Sequence, residues 1–184
     1  MKQFNIAVIV GSLRKDSFNL KMAHALIEKA PESLSFEILQ IRDLGLYSQE
    51  FDQNYPKEWV DFKEKVKNAD GVLFITPEYN RSVPGVLKNA IDVGSRPWGQ
   101  SAWGGKPAAI VSVTIGGLGG FGASNHLRQS LAFLGMPTMT QPEAYISNAS
   151  SLFDESGKLI DESTVTFSQK YMAAFAKWVE TFVA

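Results

Sequence analysis

The stretch "GSLRKDSFN", Gly11 to Asn19, directly follows the apolar run Phe4 to Val10 and carries more hydrogen-bonding capacity than a turn between two elements requires. Ser12 and Ser17 offer hydroxyls, Asn19 an amide, and Arg14 a planar fork that matches two oxygens of one phosphate. A helix starting near Phe18 and Asn19 would add free backbone N–H groups and a partial positive charge at the same place. The stretch lacks the Lys-Ser/Thr ending of a nucleoside-triphosphate loop, and it has too few glycines to wrap a pyrophosphate. A terminal phosphate monoester fits it better. For Ser17 or Arg14 taken alone, a simple helix cap and a solvated side chain remain alternatives.

Two further loops carry polar or flexible groups. "TPEYN", Thr76 to Asn80, leaves an apolar segment through a stiffening proline, Pro77, and the backbone of Glu78 to Asn80 can meet the polar edge of a flat heterocycle. The same residues also suit an ordinary turn capped by Asn80. "SVTIGGLGGFG", Ser112 to Gly122, places Gly117, Gly119 and Gly122 in the G-x-G-x-x-G dinucleotide pattern, with Glu143 about twenty residues on. That fingerprint belongs in the first strand-helix unit of a domain, and accepting it here leaves the opening loop unexplained. The glycines read instead as close approach to one face of a bound ring, or as a mobile lid.

The elements that must position these loops alternate. Phe4 to Val10, Phe36 to Ile41, Gly71 to Thr76, Pro107 to Thr114 and Thr138 to Ile146 read as strands. Helical spacing marks Asn19 to Ala30, a segment opening at Pro56, Pro84 to Gly94, Asn125 to Leu134, and a tail striped by Phe167, Tyr171, Phe175, Trp178 and Phe182. Five alternations without linker or repeat predict one α/β domain over 1–184, a doubly wound parallel sheet with helices on both faces. Ligands in such sheets sit beyond the carboxyl ends of the strands, where strand order reverses.

Composition narrows the classes. A net charge of -1 gives no footprint for nucleic acid. The chain has no cysteine, which removes disulfides, thiolate nucleophiles and cysteine-held metals, and His24 and His126 read as surface or packing residues of helices. The start, Met1-Lys2 and a short apolar run, lacks the cleavage site of a signal peptide, and no run is long enough to span a membrane. A cytoplasmic protein without a membrane partner is the expectation. Trp98 and Trp103 flank a glycine-containing loop and suit either a subunit contact or core packing.

Taken together, "GSLRKDSFN", "TPEYNRSVPGVLKNAID" and the third loop followed by "HLRQSLAFLG" resemble the NADPH-dependent FMN reductase family, in particular its bacterial quinone and chromate reductases. The resemblance implies a flavodoxin-like five-stranded fold, non-covalent FMN, NADPH or NADH as co-substrate, a small-molecule electron acceptor and a homodimer or homotetramer. By the same resemblance, Ser12, Arg14, Ser17, Asn19 and the backbone of Phe18 would hold the phosphate. Pro77, Glu78, Tyr79 and Asn80 would meet the ring, and Ser112 and Gly116 would border it. Glu78 is expected to act through its backbone. Two positions depart from the family pattern: Gly122 stands where relatives often carry arginine, and Val93 where many carry an aromatic. Flavin redox chemistry needs neither a metal nor a catalytic triad, because the ring carries the electrons. An electron carrier or a flavin or nucleotide sensor would share the fold.

Overall fold

In the computed structural model, which describes residues 2–183, five parallel strands stand in the order β2-β1-β3-β4-β5. β1 is Phe4–Val10, β2 Leu34–Leu39, β3 Gly71–Thr76, β4 Ala108–Val113 and β5 Ala144–Ile146. The helices are α1 Phe18–Glu28, α2 Lys57–Asn68, α3 Gly85–Ser95, α4 Phe121–Phe133 and α5 Glu162–Val183. This is the flavodoxin-like order of a doubly wound sheet. Met1 and Ala184, the ends of the expected 1–184 domain, lie outside the described residues.

Period-two alternation along β1 divides the core. Ile6, Val8 and Val10 pack with α1 and α5 on one face, while Ala7 and Ile9 pack with α2 and α3 on the other. β3 and β4 are buried at every position, as strands covered on both faces must be. On the first face Tyr171 of α5 is buried and its hydroxyl donates to the Ile110 carbonyl at 2.8 Å, so the tail helix is fastened to the central strands by a bond as well as by area. On the second, Trp103 is fully buried and its indole N–H donates to the Ile91 carbonyl at 2.9 Å. A Cβ on Gly94 would lie 2.6 Å from that indole, so only glycine lets α3 pass so close.

Some expected boundaries shift. β2 starts and ends two residues before the expected Phe36 to Ile41 because it is an edge strand, half exposed, whose apolar pattern is blurred. The fifth strand shrinks to three residues: Pro137 and Pro142 cannot donate to a ladder, and only an isolated bridge joins Thr138 to Ala108. α4 begins at Phe121, four residues before the expected Asn125, since Gly120 in a left-handed conformation starts it. Among the described residues no helix is long and apolar enough to cross a membrane.

Candidate functional site

β1, β3 and β4 end side by side. Val10 is level with Ile75 and Thr76 with Ser112, and the Gly11 N–H extends the ladder by donating to the Ile75 carbonyl at 2.8 Å. Helix α1 then crosses to one face of the sheet and α3 to the other, so the loops after β1 and β3 diverge at the switch point, the place where sheets of this kind bind ligands. Gly11 is confined there: a Cβ would lie 3.1 Å from Leu87 and 3.3 Å from the Thr76 hydroxyl.

The first loop reaches α1 through Ser17, the N-cap, whose hydroxyl oxygen accepts from the N–H groups of Asn19 at 3.2 Å and Leu20 at 3.4 Å. The cap reading of Ser17 therefore holds, yet its own O–H is still free to donate. Among the described residues the Phe18 N–H has no acceptor and Arg14, exposed, has no ion-pair partner. Ser12 is half-buried beside them. Asn19 is buried and its side-chain N–H donates to the Val113 carbonyl at 3.3 Å, which fixes the orientation of the amide. Its Oδ1 is then buried without a partner. An orphaned acceptor costs about 1–3 kcal/mol, and what this one lacks is a donor such as a hydroxyl.

The second loop is a tight turn in which Tyr79 and Ser82 exchange two backbone hydrogen bonds, both 2.9 Å. Asn80 and Arg81 carry φ of 50° and 64°, the left-handed pair that such a turn demands. Asn80 thus forms the turn itself and is not a side-chain cap. Asparagine tolerates this conformation, but Arg81 held this way costs roughly 1–2 kcal/mol, so the turn must be fastened from outside. The backbone of Tyr79 is committed to the turn and its ring is half exposed; Pro77 and Glu78 lead into it. The Thr76 hydroxyl donates to the Pro77 carbonyl at 2.8 Å and secures the exit from β3.

The third loop differs from expectation at Ser112. That residue is fully buried, and its hydroxyl donates to the Gly119 carbonyl at 2.6 Å, so it holds the loop from beneath. Gly116 is exposed and accepts from the Thr114 hydroxyl at 3.2 Å. Gly119 and Gly120 have φ of 59° and 79°, and a Cβ would meet Tyr145 at 2.6 Å from the first and Ser112 at 2.9 Å from the second. Gly119 allows close approach to the Tyr145 backbone and Gly120 to the Ser112 side chain. Between them and around them Ile115, Leu118 and Phe121 are exposed, an apolar rim that sequence reading passed over although the three stand in plain view among the glycines. Phe121 rests edge-on against Tyr145 at 5.4 Å, and burial, aided by the Glu143 carboxylate, raises the Tyr145 phenol above its ordinary value.

The N-terminus of α4 is already taken. Gly120 provides no side-chain cap, and the Glu78 carboxylate accepts from the Ala123 N–H at 3.0 Å instead. Its other oxygen accepts from Arg81 at 3.1 Å. A dinucleotide phosphate at this helix would have to displace an internal negative charge, which disposes of the G-x-G-x-x-G reading. The expectation that Glu78 matters through its backbone is thereby corrected in part, since its side chain is engaged across 45 residues of chain. Among the described residues no cluster of His, Cys, Asp and Glu is placed to hold a metal ion. Between α3 and α4 lies a groove of about 1100 Å³ lined by Val83, Ile91, Trp98 and Phe133 with Lys88 and His126. Trp98 is 76% exposed there, whereas Trp103 belongs to the core.

Residues 4–151 match the family model described as NADPH-dependent FMN reductase. The chain belongs to this family. It is 58% identical over 178 residues to a quinone reductase of Pseudomonas putida, covering 96% of this chain and 95% of that one. It is 50% identical over 174 residues to a 2-hydroxy-1,4-benzoquinone reductase of Burkholderia sp, covering 95% of each. The solved structure of FerB, a flavoenzyme NAD(P)H:(acceptor) oxidoreductase from Paracoccus denitrificans, is similar at TM-score 0.92 and 40% identity, covering 98% of this chain and 100% of that one.

Proposed function

We propose that the protein is an FMN-dependent reductase that oxidises NADPH or NADH and reduces quinones, with the first loop as the anchor of the cofactor. The observation that carries this is the set of unspent donors at the start of α1 beside one orphaned, buried acceptor on Asn19. The residues fit FMN. Arg14, the Ser12 and Ser17 hydroxyls and the Phe18 N–H suit the phosphate, and Asn19 Oδ1 suits a hydroxyl of the ribityl chain. Pro77, Glu78 and Asn80 present backbone, and Tyr79 a ring, to the heterocycle's edge; Gly116 and the apolar rim flank it from the third loop. When bound, FMN supplies the ring that takes hydride from a nicotinamide and yields electrons to an acceptor. The protein's part is to hold, orient and shield it.

Among acceptors, the exposed Ile115, Leu118 and Phe121 favour flat, apolar molecules over metal oxyanions. A cation at position 122 would require the second loop to shift, since a Cβ there would lie 2.8 Å from the Arg81 carbonyl oxygen. Azo compounds and free flavin are flat enough to share the site. We take residues 1–184 as one domain, because both cores share one sheet. The α3–α4 groove, with exposed Trp98 and Phe133 among its lining residues, supports a homodimer or homotetramer. Dependence on reduced nicotinamide supports a cytoplasmic location.

Anaerobic mixing of FMN-loaded protein with NADPH, and separately NADH, tests the reading. Rapid bleaching of the flavin, reversed by benzoquinone, is the expected result. Flavin that stays oxidised would point to an electron carrier or sensor, although a net charge of -1 already sits poorly with a strongly acidic carrier.

A further inference from the structure

We propose that Glu78 is a positioning residue: through its carboxylate, the first turn of α4 fixes the strained second loop that meets the flavin edge. This rests on the FMN reading above for the loop's purpose, but the tie itself is independent of it. Residues 78–82 are joined to α4 at two levels one helical turn apart. Glu78 Oε2 accepts from the Ala123 N–H at 3.0 Å, and the Ser82 hydroxyl lies 2.9 Å from His126 Nδ1. Next to the first tie, Gly122 brings the helix against the loop so closely that a Cβ would stand 2.8 Å from the Arg81 carbonyl oxygen and 2.9 Å from Glu78 Oε2.

Need runs in both directions. The helix starts at a glycine without a side-chain cap, so Ala123 would otherwise present an orphan N–H. The loop holds two left-handed non-glycine residues, Asn80 and Arg81, which persist only where surroundings over-determine them. One carboxylate, with its side chain only 11% exposed, answers both needs, and Arg81 turns back to bond its second oxygen. The Ser82 tie is the weaker partner because both its residues sit at the surface. Since Ser112 and Tyr145 hold the third loop to the same helix start, the second and third loops are both fastened at the start of α4.

Amide hydrogen exchange on the FMN-free protein reads the tie directly. Glu78→Ala should speed exchange across residues 78–83 and 119–124 about tenfold while β1 and β3 stay protected, which also shows that the variant folds. Glu78→Gln, which retains an oxygen for Ala123, should stay near wild type. Gly122→Ala places a methyl group in the tie, so Glu78→Ala/Gly122→Ala should exceed neither single change by much. Unchanged exchange in Glu78→Ala, or additive effects in the double variant, would overturn the tie. Flavin titration then separates its purpose: Glu78→Ala should weaken FMN and riboflavin alike, severalfold, because the edge of the ring and not the phosphate is affected. Raised exchange with both affinities unchanged would overturn the positioning role and leave the assignment of the phosphate site standing.

Discussion

Two helices of this protein begin straight after a strand at the same edge of the sheet, and they treat their N-termini in opposite ways. At α1 a neutral hydroxyl, Ser17, satisfies two amides, and an unpaired Arg14 stands nearby. At α4 a carboxylate from another loop, Glu78, has already occupied the site. The macrodipole is common to both. What differs is whether the positive end is left for a ligand or consumed internally, and this difference outweighs glycine content: the loop richer in glycine is the one closed to anions.

The sharpest way to break the contrast is to damage the closed site and ask whether phosphate recognition suffers. Gly120→Ala forces a Cβ into a left-handed backbone 2.9 Å from Ser112 and should cost about 2–4 kcal/mol of stability in urea unfolding of the FMN-free protein. Its preference for FMN over riboflavin should survive. Loss of that preference would mean that the phosphate sits at α4 after all.

A smaller effect follows from Tyr145 beneath the third loop. Burial raises its folded-state value above the 10.0 of the free phenol, so its protonated form is favoured in the fold. The associated stability is full below pH 10 and is lost as pH rises through the raised value. Urea midpoints should therefore fall on the alkaline side of pH 10, and Tyr145→Phe should flatten that fall. Equal slopes in the two proteins would remove Tyr145 from the account.

The open site was far more legible in the sequence than the closed one. Ser12, Arg14, Ser17 and Asn19 lie within one short stretch after an apolar run, so local chemistry announced them. The central strands β1 and β3 appeared at their observed bounds because burial on both faces leaves a largely apolar run, interrupted in β1 at the exposed Asn5, that stops before a glycine or proline. By contrast, nothing local marks Glu78 as the cap of a helix 45 residues away, nor Ser112 as a brace beneath Gly119. Both contacts exist only once the sheet has brought the strand ends together. Trp103 was ambiguous for a related reason: its indole is buried by Phe62 and Phe74, residues far back in the chain. The glycine pattern is no guide to a ligand here, because Gly119, Gly120 and Gly122 serve contacts within the protein, against Tyr145, Ser112 and Arg81.

The most direct test of the central claim is a titration of FMN and riboflavin into cofactor-free wild type and Arg14→Ala. Removing a charge-assisted contact to the phosphate should weaken FMN by about 1.5–3 kcal/mol, roughly tenfold to a hundredfold, and leave riboflavin untouched. Equal loss for both ligands, or no loss for either, would contradict the assignment of the first loop as the phosphate anchor.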